Sequence, residues 1–252
     1  MPKILISGAS GKLGSLVIKH LLASSGMAPG DIIAASRDPS KLTDLAAKGI
    51  ETRKVDFTDA STLDSAFQGV DRLLVISTDA IGARIEQHKA AIEAAKKAGV
   101  SRIFYTSMFN PKTSKVIFAP EHAASEEAIE TSGLAYTIFR NGWYMENLFT
   151  SLDGALASGR WYSSSADGRI TYIAREDLAR AMAAAIANPV ADNIIYSLGG
   201  ETGYTKAEIA ALVTEISGRP LEVINITDEQ LESGLPGGGR PAHFGPLTVF
   251  LE

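Results

Sequence analysis

Three glycines spaced three residues apart, directly after a short apolar run, constrain the fold of this chain more than any other feature. The run from Lys3 to Ile6 predicts a buried strand, and apolar residues at helical spacing follow the glycines. A strand, a glycine-rich turn and a helix in that order can hold an anion, because the free N–H groups of the first helical turn point at it. A tight turn without a ligand is the alternative, but such a turn needs one glycine rather than three.

Each glycine of the turn has its own expected role. Gly8 lets the chain turn sharply, Gly11 has no side chain to keep a diphosphate away from the backbone, and Gly14 lets the helix pack close to the strand. The turn therefore predicts a dinucleotide site. The expected contacts in it are Gly8, Ala9, Ser10, Gly11, Lys12, Leu13 and Gly14.

The residue that follows the second predicted strand distinguishes NAD from NADP. An NAD-binding protein usually has Asp or Glu there, which accepts a hydrogen bond from the 2′-hydroxyl of the adenosine ribose. This chain has Ser36 and Arg37 instead. A guanidinium pairs with a 2′-phosphate and stacks on adenine, whereas a bare hydroxyl offers it little. We therefore expect NADPH as the cofactor; the alternative is that Arg37 is a solvated loop residue beside Asp38.

Strands and helices alternate with short connections over the first 140 residues, which is typical of a parallel sheet with helices on both faces. We expect an α/β fold: a Rossmann-like, doubly wound parallel sheet at residues 1–142, and a smaller C-terminal α/β lobe at residues 143–252 that is interleaved with the sheet in a single compact unit. The lobe is expected over the carboxyl edge of the sheet, where ligands bind.

Periodicity and breaker residues give the expected elements. In the first part, strands are predicted at residues 31–36, 51–57, 72–77, 102–107 and 134–139, and helices at 39–48, after Asp59, and at 83–98 and 121–131. In the second part, an irregular helix is predicted at 143–156, strands at 170–173, 193–198 and 221–226, helices at 175–187, 205–217 and from 227 or 228, and an irregular stretch at 233–246.

Further polar or aromatic residues end the predicted strands at the ligand-binding edge. They are the pairs Asp56 and Phe57, Ser77 and Thr78, and Thr106 and Ser107, which we assign to the cofactor. Asp56 and Phe57 are expected to flank the adenine. Each pair is equally compatible with an ordinary strand terminus.

An unusual run from Arg140 to Tyr144 follows the sixth predicted strand. Asn141 both donates and accepts hydrogen bonds, which suits the carboxamide of nicotinamide, and Gly142 allows close approach. Trp143 and Tyr144 offer flat faces to a planar acceptor. We assign Arg140, Asn141, Gly142 and Trp143 to the cofactor, and Asn141 and Tyr144 also to catalysis. Alternatively, these aromatic residues bury a junction between the two lobes.

Several familiar catalytic patterns are missing from the sequence. No tyrosine is followed four residues later by lysine, no Gly-x-Ser-x-Gly motif occurs, and no residues have metal-ligand spacing, so we expect no metal. The lack of these catalytic patterns favours hydride transfer to an acceptor that needs little acid catalysis. His122 is the remaining catalytic candidate, as a proton donor or substrate contact; alternatively, it is an exposed residue in an i,i+4 pair with Glu126.

Composition excludes several other classes of function. The formal charge of −5 is mild and no block of like charge occurs, so neither nucleic acid nor a membrane surface is expected as a partner. The chain has no cysteine, which excludes disulfides and thiolate catalysis. No apolar run reaches membrane-spanning length. The first strand leaves no room for a signal peptide, so a cytoplasmic protein is expected. The sequence leaves the oligomeric state open, a homodimer included.

Five motifs in order resemble the NmrA-like branch of the atypical short-chain dehydrogenases, and within it the type 2 NAD(P)H:quinone oxidoreductases and then the triphenylmethane reductases. They lie at residues 8–14, 37–39, 105–107, 121–122 and 140–147, and the resemblance covers residues 3–235. It implies a Rossmann domain with a small C-terminal lobe and NADPH bound at the glycine turn, Arg37 and the Arg140–Tyr144 run. It also implies direct hydride transfer to a quinone or similar planar conjugated acceptor.

The same branch includes dinucleotide-binding redox sensors that act through a partner protein without turnover. A non-catalytic NADP(H)-binding regulator is therefore the alternative function. Members of the branch usually continue beyond the point where this sequence ends. The resemblance therefore supports the prediction of cofactor binding more directly than the prediction of the acceptor.

Overall fold

The computed structural model describes residues 2–24 and 26–232, and the chain divides into two compact units. Unit 1 comprises the chain up to Ser114, Phe118–Asn141 and Arg175–Leu198. Unit 2 comprises Lys115–Ile117, Gly142–Ala174 and the described residues from Gly199 onward. The segment at 143–252, expected as one lobe, is thus divided, because residues 175–198 return to unit 1 and extend its sheet.

Within the described residues, unit 1 is a seven-stranded sheet in the order β3-β2-β1-β4-β5-β6-β8. All neighbouring strands are parallel, so the predicted doubly wound α/β sheet is confirmed. The strands are β1 (Ile4–Ile6), β2 (Ile32–Ser36), β3 (Glu51–Lys54), β4 (Arg72–Val75), β5 (Arg102–Met108), β6 (Ala135–Asn141) and β8 (Ile194–Leu198). The helices are α1 (Lys12–Ser24), α2 (Thr43–Ala46), α3 (Ala60–Ala66), α4 (Arg84–Ala98), α5 (Ala119–Glu130) and α7 (Arg175–Ala187), with 3₁₀ turns at Pro29–Asp31 and Pro39–Leu42.

The central strands are buried on both faces, as their continuous apolar sequence predicts. Every residue of β1 and β2 is buried. Leu5 joins the core formed with α3 and α4, so its neighbours Ile4 and Ile6 face the opposite side of the sheet. Helices α1 and α7 pack against each other, as do α4 and α5. Burial of both faces thus explains why the apolar runs of these strands are unbroken.

The order of strands places the ligand-binding edge. After β1 the chain moves to one side, to β2 and β3, and then crosses to β4 on the other side of β1. The carboxyl ends of β1 and β4 therefore flank a crevice of the kind in which wound sheets bind ligands. The glycine turn follows β1, and Ser77 and Thr78 follow β4.

Unit 2 contains a two-stranded parallel sheet of β7 (Arg160–Ser163) and β9 (Glu222–Asn225). Its helices are α6 (Phe149–Ser158), α8 (Lys206–Ser217) and α9 (Asp228–Glu232), with a 3₁₀ turn at Met145–Leu148. Trp161 is buried in its core with Ile209, and the Lys206 ammonium lies 4.6 Å from the centre of the indole ring. Thr205 caps α8 and forms a capping box with Glu208.

Three predicted segments differ from the structure, and one strand was not predicted. The helix expected at 39–48 is a 3₁₀ turn followed by the one-turn α2, closed by i→i+3 bonds such as Gly49 N–H to the Ala46 carbonyl. The helix expected at 143–156 begins as extended chain and a 3₁₀ turn before α6. The strand expected at 170–173 forms two isolated bridges with different partners, and β7 was not predicted. The stretch at 233–246 lies outside the described residues.

Candidate functional site

The glycine turn after β1 has the tight geometry that its sequence predicts. Gly8 has a φ of +63°, a conformation that other residues rarely adopt. The Gly11 N–H donates to the Gly8 carbonyl over 2.9 Å. A Cβ on Gly11 would lie 3.1 Å from that same oxygen, and one on Gly14 would collide with it. The turn therefore brings the start of α1 against bare backbone, which is the shape a diphosphate needs.

The glycine turn is hydrogen-bonded to the end of β2. The Ala9 N–H donates to the Ala35 carbonyl over 2.9 Å, and the hydroxyl oxygens of Ser10 and Ser36 are 2.9 Å apart. The Asp38 N–H donates to Ser36 Oγ over 3.3 Å. The turn and the loop that carries Arg37 thus form one hydrogen-bonded structure.

Arg37 is exposed in the loop after β2, where a 2′-phosphate is expected. The neighbouring Asp38 carboxylate accepts from the N–H and hydroxyl of Ser40, and these bonds lower its pKa. The Asp56 carboxyl also has a lowered pKa, mainly through hydrogen bonds from Thr58 and secondarily through the charge of Arg37. Asp38 therefore caps the 3₁₀ turn, and Arg37 faces solvent near the end of β3.

The other residues predicted at strand ends occupy different environments. The Phe57 ring is half-buried and meets His88 edge-on, with ring centres 6.5 Å apart. The Ser77 N–H donates to Thr106 Oγ1 over 2.8 Å, so these two candidates contact each other. The buried hydroxyl of Ser107 has no hydrogen-bond partner among the described residues. A buried hydroxyl without a protein partner is costly unless a ligand or water satisfies it.

A group of polar side chains is buried between α4, α5 and β5, and we call it the α4–α5 cluster. It consists of Arg84, His88, Tyr105, Glu121, His122 and Ser125, each less than one-tenth exposed. The Thr78 N–H donates to His88 Nε2 over 3.3 Å, and the Gly82 N–H donates to Glu121 Oε1 over 2.6 Å. The cluster therefore binds both ends of the loop that follows β4.

The protonated ring nitrogen of each histidine in the cluster follows from its neighbours. In both cases one ring nitrogen faces a group that can only donate a hydrogen bond, so that nitrogen must accept. Because the Thr78 N–H donates to His88 Nε2, His88 Nδ1 carries the proton and donates to Ser125 Oγ over 2.8 Å. Because Arg84 donates to His122 Nε2 over 3.4 Å, His122 Nδ1 donates to the Tyr105 hydroxyl over 2.8 Å. Both imidazoles are therefore neutral in this network.

Burial and the charge of Arg84 keep these histidines neutral. Burial first, and Arg84 second, lower the pKa of His88 to about 4. The same causes lower the pKa of His122 to about 3. Burial also raises the pKa of the Tyr105 hydroxyl. His88, His122 and Tyr105 are therefore uncharged near neutral pH, and within the cluster Arg84 Nε lies 3.9 Å from Glu121 Oε2.

The alternative of an exposed His122–Glu126 pair is wrong. His122 is only 5% exposed and Glu126 is fully buried. Glu126 instead accepts two hydrogen bonds from Arg140, at 2.9 Å and 2.6 Å. The i,i+4 spacing places His122 and Glu126 on the buried face of α5. There His122 bonds to Tyr105 on β5, and Glu126 bonds to Arg140 on β6. The neutral His122 imidazole also has no extra proton to donate at neutral pH.

The run from Arg140 to Tyr144 spans the boundary between the units. Arg140 and Asn141 end β6 in unit 1, and the Arg140 guanidinium, predicted to bind the cofactor, is held by Glu126. Asn141 is buried, with Met108 and Leu198 as its neighbours in the sheet. Gly142, Trp143 and Tyr144 belong to unit 2.

In unit 2, the chain from Trp143 to Met145 is fixed by its backbone. Ile173 donates its N–H to the Trp143 carbonyl and accepts from the Met145 N–H, both over 2.9 Å. The Trp143 and Tyr144 side chains are half-buried. Of the three catalytic candidates, His122 and Asn141 thus lie in unit 1 and Tyr144 lies in unit 2.

Sequence reasoning missed most of the α4–α5 cluster. From the sequence, no functional role is assigned to Arg84, His88 or Tyr105. A signal existed, since Arg84 and His88 share the face of α4 that carries Ala91, Ile92 and Ala95. Polar residues on an otherwise apolar helical face indicate buried hydrogen bonds, but their partners cannot be identified from one helix.

Two classes of site are absent from residues 2–24 and 26–232. No group of three or more metal-ligating side chains is found there. No helix in that part of the chain has the length and apolar character needed to cross a membrane.

Comparison with known proteins gives consistent matches. A family described as NAD(P)H-binding matches residues 8–189. Quinone oxidoreductase 2 of Escherichia coli K12 is 38% identical over 238 residues, which cover 94% of this chain and 82% of that protein. The crystal structure of the E. coli NADPH-dependent quinone oxidoreductase with NADPH has a TM-score of 0.93 and 37% identity, covering 98% of this chain and 87% of that one. Triphenylmethane reductase of Citrobacter sp. with NADP(H) has a TM-score of 0.90 and 31% identity, with coverage of 98% and 87%.

Proposed function

The chain belongs to the NAD(P)H-binding family, and we propose that it is an NADPH-dependent oxidoreductase that transfers hydride to a quinone or a similar planar conjugated acceptor. The similarity to the NmrA-like oxidoreductases predicted from sequence is confirmed, and so is the NAD(P)H class of cofactor. The relatives named above support the acceptor class, since one acts on quinones and another on triphenylmethane compounds.

The observation that carries this proposal is the fit of the glycine turn to a diphosphate. Gly8 occupies a left-handed conformation, and a side chain on Gly14 would collide with the Gly8 carbonyl. Such a turn serves a ligand that approaches the backbone closely. The buried, unpartnered hydroxyl of Ser107 at the carboxyl end of β5 offers a further group for the cofactor to satisfy.

Several side chains have assignable roles in this proposal. Arg37 pairs with the 2′-phosphate, because it is exposed beside the turn and its neighbour Asp38 is bound to Ser40. Asn141 positions the nicotinamide carboxamide, since its amide can both donate and accept. Trp143 and Tyr144 provide aromatic faces for the acceptor.

Reduced nicotinamide, when bound, supplies the hydride. A quinone that takes up one hydride and one proton becomes a hydroquinone, so the reaction needs one proton per turnover. His122 holds its single proton in a hydrogen bond to Tyr105, and burial keeps its pKa near 3. The chain therefore leaves protonation to solvent, which the modest basicity of a reduced quinone allows.

The direct test is to mix the purified protein with NADPH and 1,4-benzoquinone and follow the absorbance of reduced nicotinamide. We expect a protein-dependent loss of absorbance that saturates with quinone. Gly11→Val should abolish it, because the added side chain would press on the Gly8 carbonyl. Gly30→Ala is an open-space control, since a Cβ there meets no heavy atom of the other described residues within 4 Å, its two chain neighbours aside.

Tight NADPH binding without turnover, across several quinones and azo or triphenylmethane dyes, would contradict the reductase proposal. That outcome would favour a dinucleotide-sensing regulator. Absence of NADPH binding would contradict both functions.

A further inference from the structure

We propose that Ser36 is a positioning residue that presents Arg37 to the 2′-phosphate of NADPH, through its hydrogen bonds to Ser10 and Asp38. The inference rests on the proposed cofactor and deepens it. Arg37 would contact the 2′-phosphate directly. Ser36 would be a second determinant of the choice between NADPH and NADH, and it would act without contacting the cofactor.

Ser36 is the last residue of β2 and is 7% exposed. Its hydroxyl lies 2.9 Å from that of Ser10, and it accepts the Asp38 N–H over 3.3 Å. Because a backbone N–H only donates, one lone pair of Ser36 Oγ is occupied by Asp38. The hydroxyl is therefore used within the protein, and an indirect role fits it better than a contact with the ribose.

The bond from Asp38 to Ser36 spans the residue between them, which is Arg37. On the far side, the Asp38 carboxylate accepts from Ser40 N–H over 3.1 Å and from Ser40 Oγ over 2.6 Å. The backbone of Arg37 is thus fixed from both directions, while its side chain is exposed. Fixing the backbone before the cofactor arrives reduces the conformational entropy lost on binding.

The bond to Ser10 connects this loop to the glycine turn. Together with the Ala9 N–H to Ala35 carbonyl bond, it sets the distance between the diphosphate site and Arg37. NADH uses only the first of these two sites, whereas NADPH uses both. Loosening the connection should therefore weaken NADPH binding more than NADH binding.

The experiment measures the dissociation constants of NADPH and NADH by isothermal titration calorimetry for five proteins. They are the wild type, Ser36→Ala, Arg37→Ala, the double variant Ser36→Ala/Arg37→Ala, and the control Ser65→Ala. We expect Ser36→Ala to reduce the preference for NADPH over NADH by about 3- to 10-fold, the effect of one hydrogen bond. In the Arg37→Ala background, Ser36→Ala should leave the preference unchanged, because it acts through Arg37. Among the described residues, the Ser65 hydroxyl donates to carbonyls of its own helix, so its replacement should have no effect on either cofactor.

Three outcomes would overturn the inference. If Ser36→Ala weakened both cofactors equally, its role would be general stability of the turn. If it lowered the preference as much without Arg37 as with it, Ser36 would contact the 2′-phosphate directly. If the wild type had no preference and Arg37→Ala had no effect, the NADPH assignment itself would fail, and Ser36 would have nothing to position. Thermal unfolding of each variant separates these effects from loss of the fold.

Discussion

The glycine turn and the α4–α5 cluster belong to the same unit, yet they are held together by different groups. The turn is maintained by backbone bonds, such as Gly11 N–H to the Gly8 carbonyl, and by the lack of side chains. The cluster is maintained by buried side chains, such as His122 and Tyr105, which lie on different elements. Atoms added at Gly11 or Gly14 therefore crowd the turn, whereas a charge added to the cluster lies in a buried environment.

The two regions also differ in exposure. Ser10 and Arg37 are exposed beside the turn, where solvent screens charges and a ligand can reach them. His88 is 1% exposed and Glu126 is fully buried, so a change of charge there is not screened. Substitutions near the turn should alter cofactor binding, and substitutions in or beside the cluster should alter stability.

The largest expected effect is acid destabilisation through the α4–α5 cluster. The pKa values of His88 and His122 lie near 4 and 3, below the ordinary 6.5, so the unfolded chain binds protons before the native one does. The contribution of these histidines to the free energy of unfolding is therefore fully present above pH 6.5, and it is lost as the pH drops toward the folded pKa values. At pH 5 the loss amounts to about 2 kcal/mol per histidine. Urea unfolding between pH 7.5 and pH 5 measures it.

His88→Gln and His122→Gln sharpen this prediction. Each variant should be less stable at pH 7.5 but should lose less stability on acidification, because one titrating group is gone. An unchanged pH dependence in both variants would place the acid sensitivity outside the cluster.

Gly14→Val tests the glycine turn through its effect on cofactor binding. The side chain would collide with the Gly8 carbonyl, so the start of α1 must move away from β1. We expect NADPH affinity to fall at least about a hundred-fold, equivalent to about 2.7 kcal/mol. Fluorescence titration measures the affinity. Gly154→Ala is a second open-space control, because a Cβ there meets no heavy atom within 4 Å among the described residues outside its own helical turn. Near-normal affinity in Gly14→Val would mean that the turn does not hold the diphosphate.

Glu126→Gln tests a buried ion pair beside the α4–α5 cluster, in which Glu126 holds Arg140 at the end of β6. Losing one charge of a buried pair leaves the other uncompensated, so we expect the free energy of unfolding to fall by about 2 kcal/mol, less than for a fully buried pair because Arg140 is partly exposed. Glu93→Gln breaks the exposed pair with Lys96 and should cost less than about 0.5 kcal/mol. Equal effects in the two variants would show that burial of Glu126 is unimportant.

Arg37→Ala should have the smallest of these effects, and it is confined to binding. Loss of a charge-assisted hydrogen bond should weaken NADPH about tenfold and leave NADH nearly unchanged. Thermal unfolding should not change, since Arg37 is exposed. Arg180→Ala removes an exposed arginine whose partner is Asp177, one helical turn away, and should alter neither affinity. A parallel loss of both cofactors in Arg37→Ala would contradict its role in selectivity.

Elements were predictable where the signal was local. The capping box of Thr205 and Glu208 lies within four residues, and α7 and β8 are close to their expected bounds. Strand β7 was missed because its partner β9 begins about sixty residues later, and its own sequence has no distinct alternation. The strand expected at 170–173 has suitable residues but no continuous neighbour with which to form a ladder.

The sequence by itself determined the wound parallel sheet, the glycine turn and the position of Arg37 after β2. These follow from periodicity and from backbone sterics, which act over a few residues. Only the tertiary structure decided that Glu126 pairs with Arg140, that His122 pairs with Tyr105, and that Ser36 connects Arg37 to the turn. The physical reason is that a buried polar group bonds to the partner that packing brings within hydrogen-bond distance. That packing depends on segments that are distant in sequence, so the local sequence does not identify the partner.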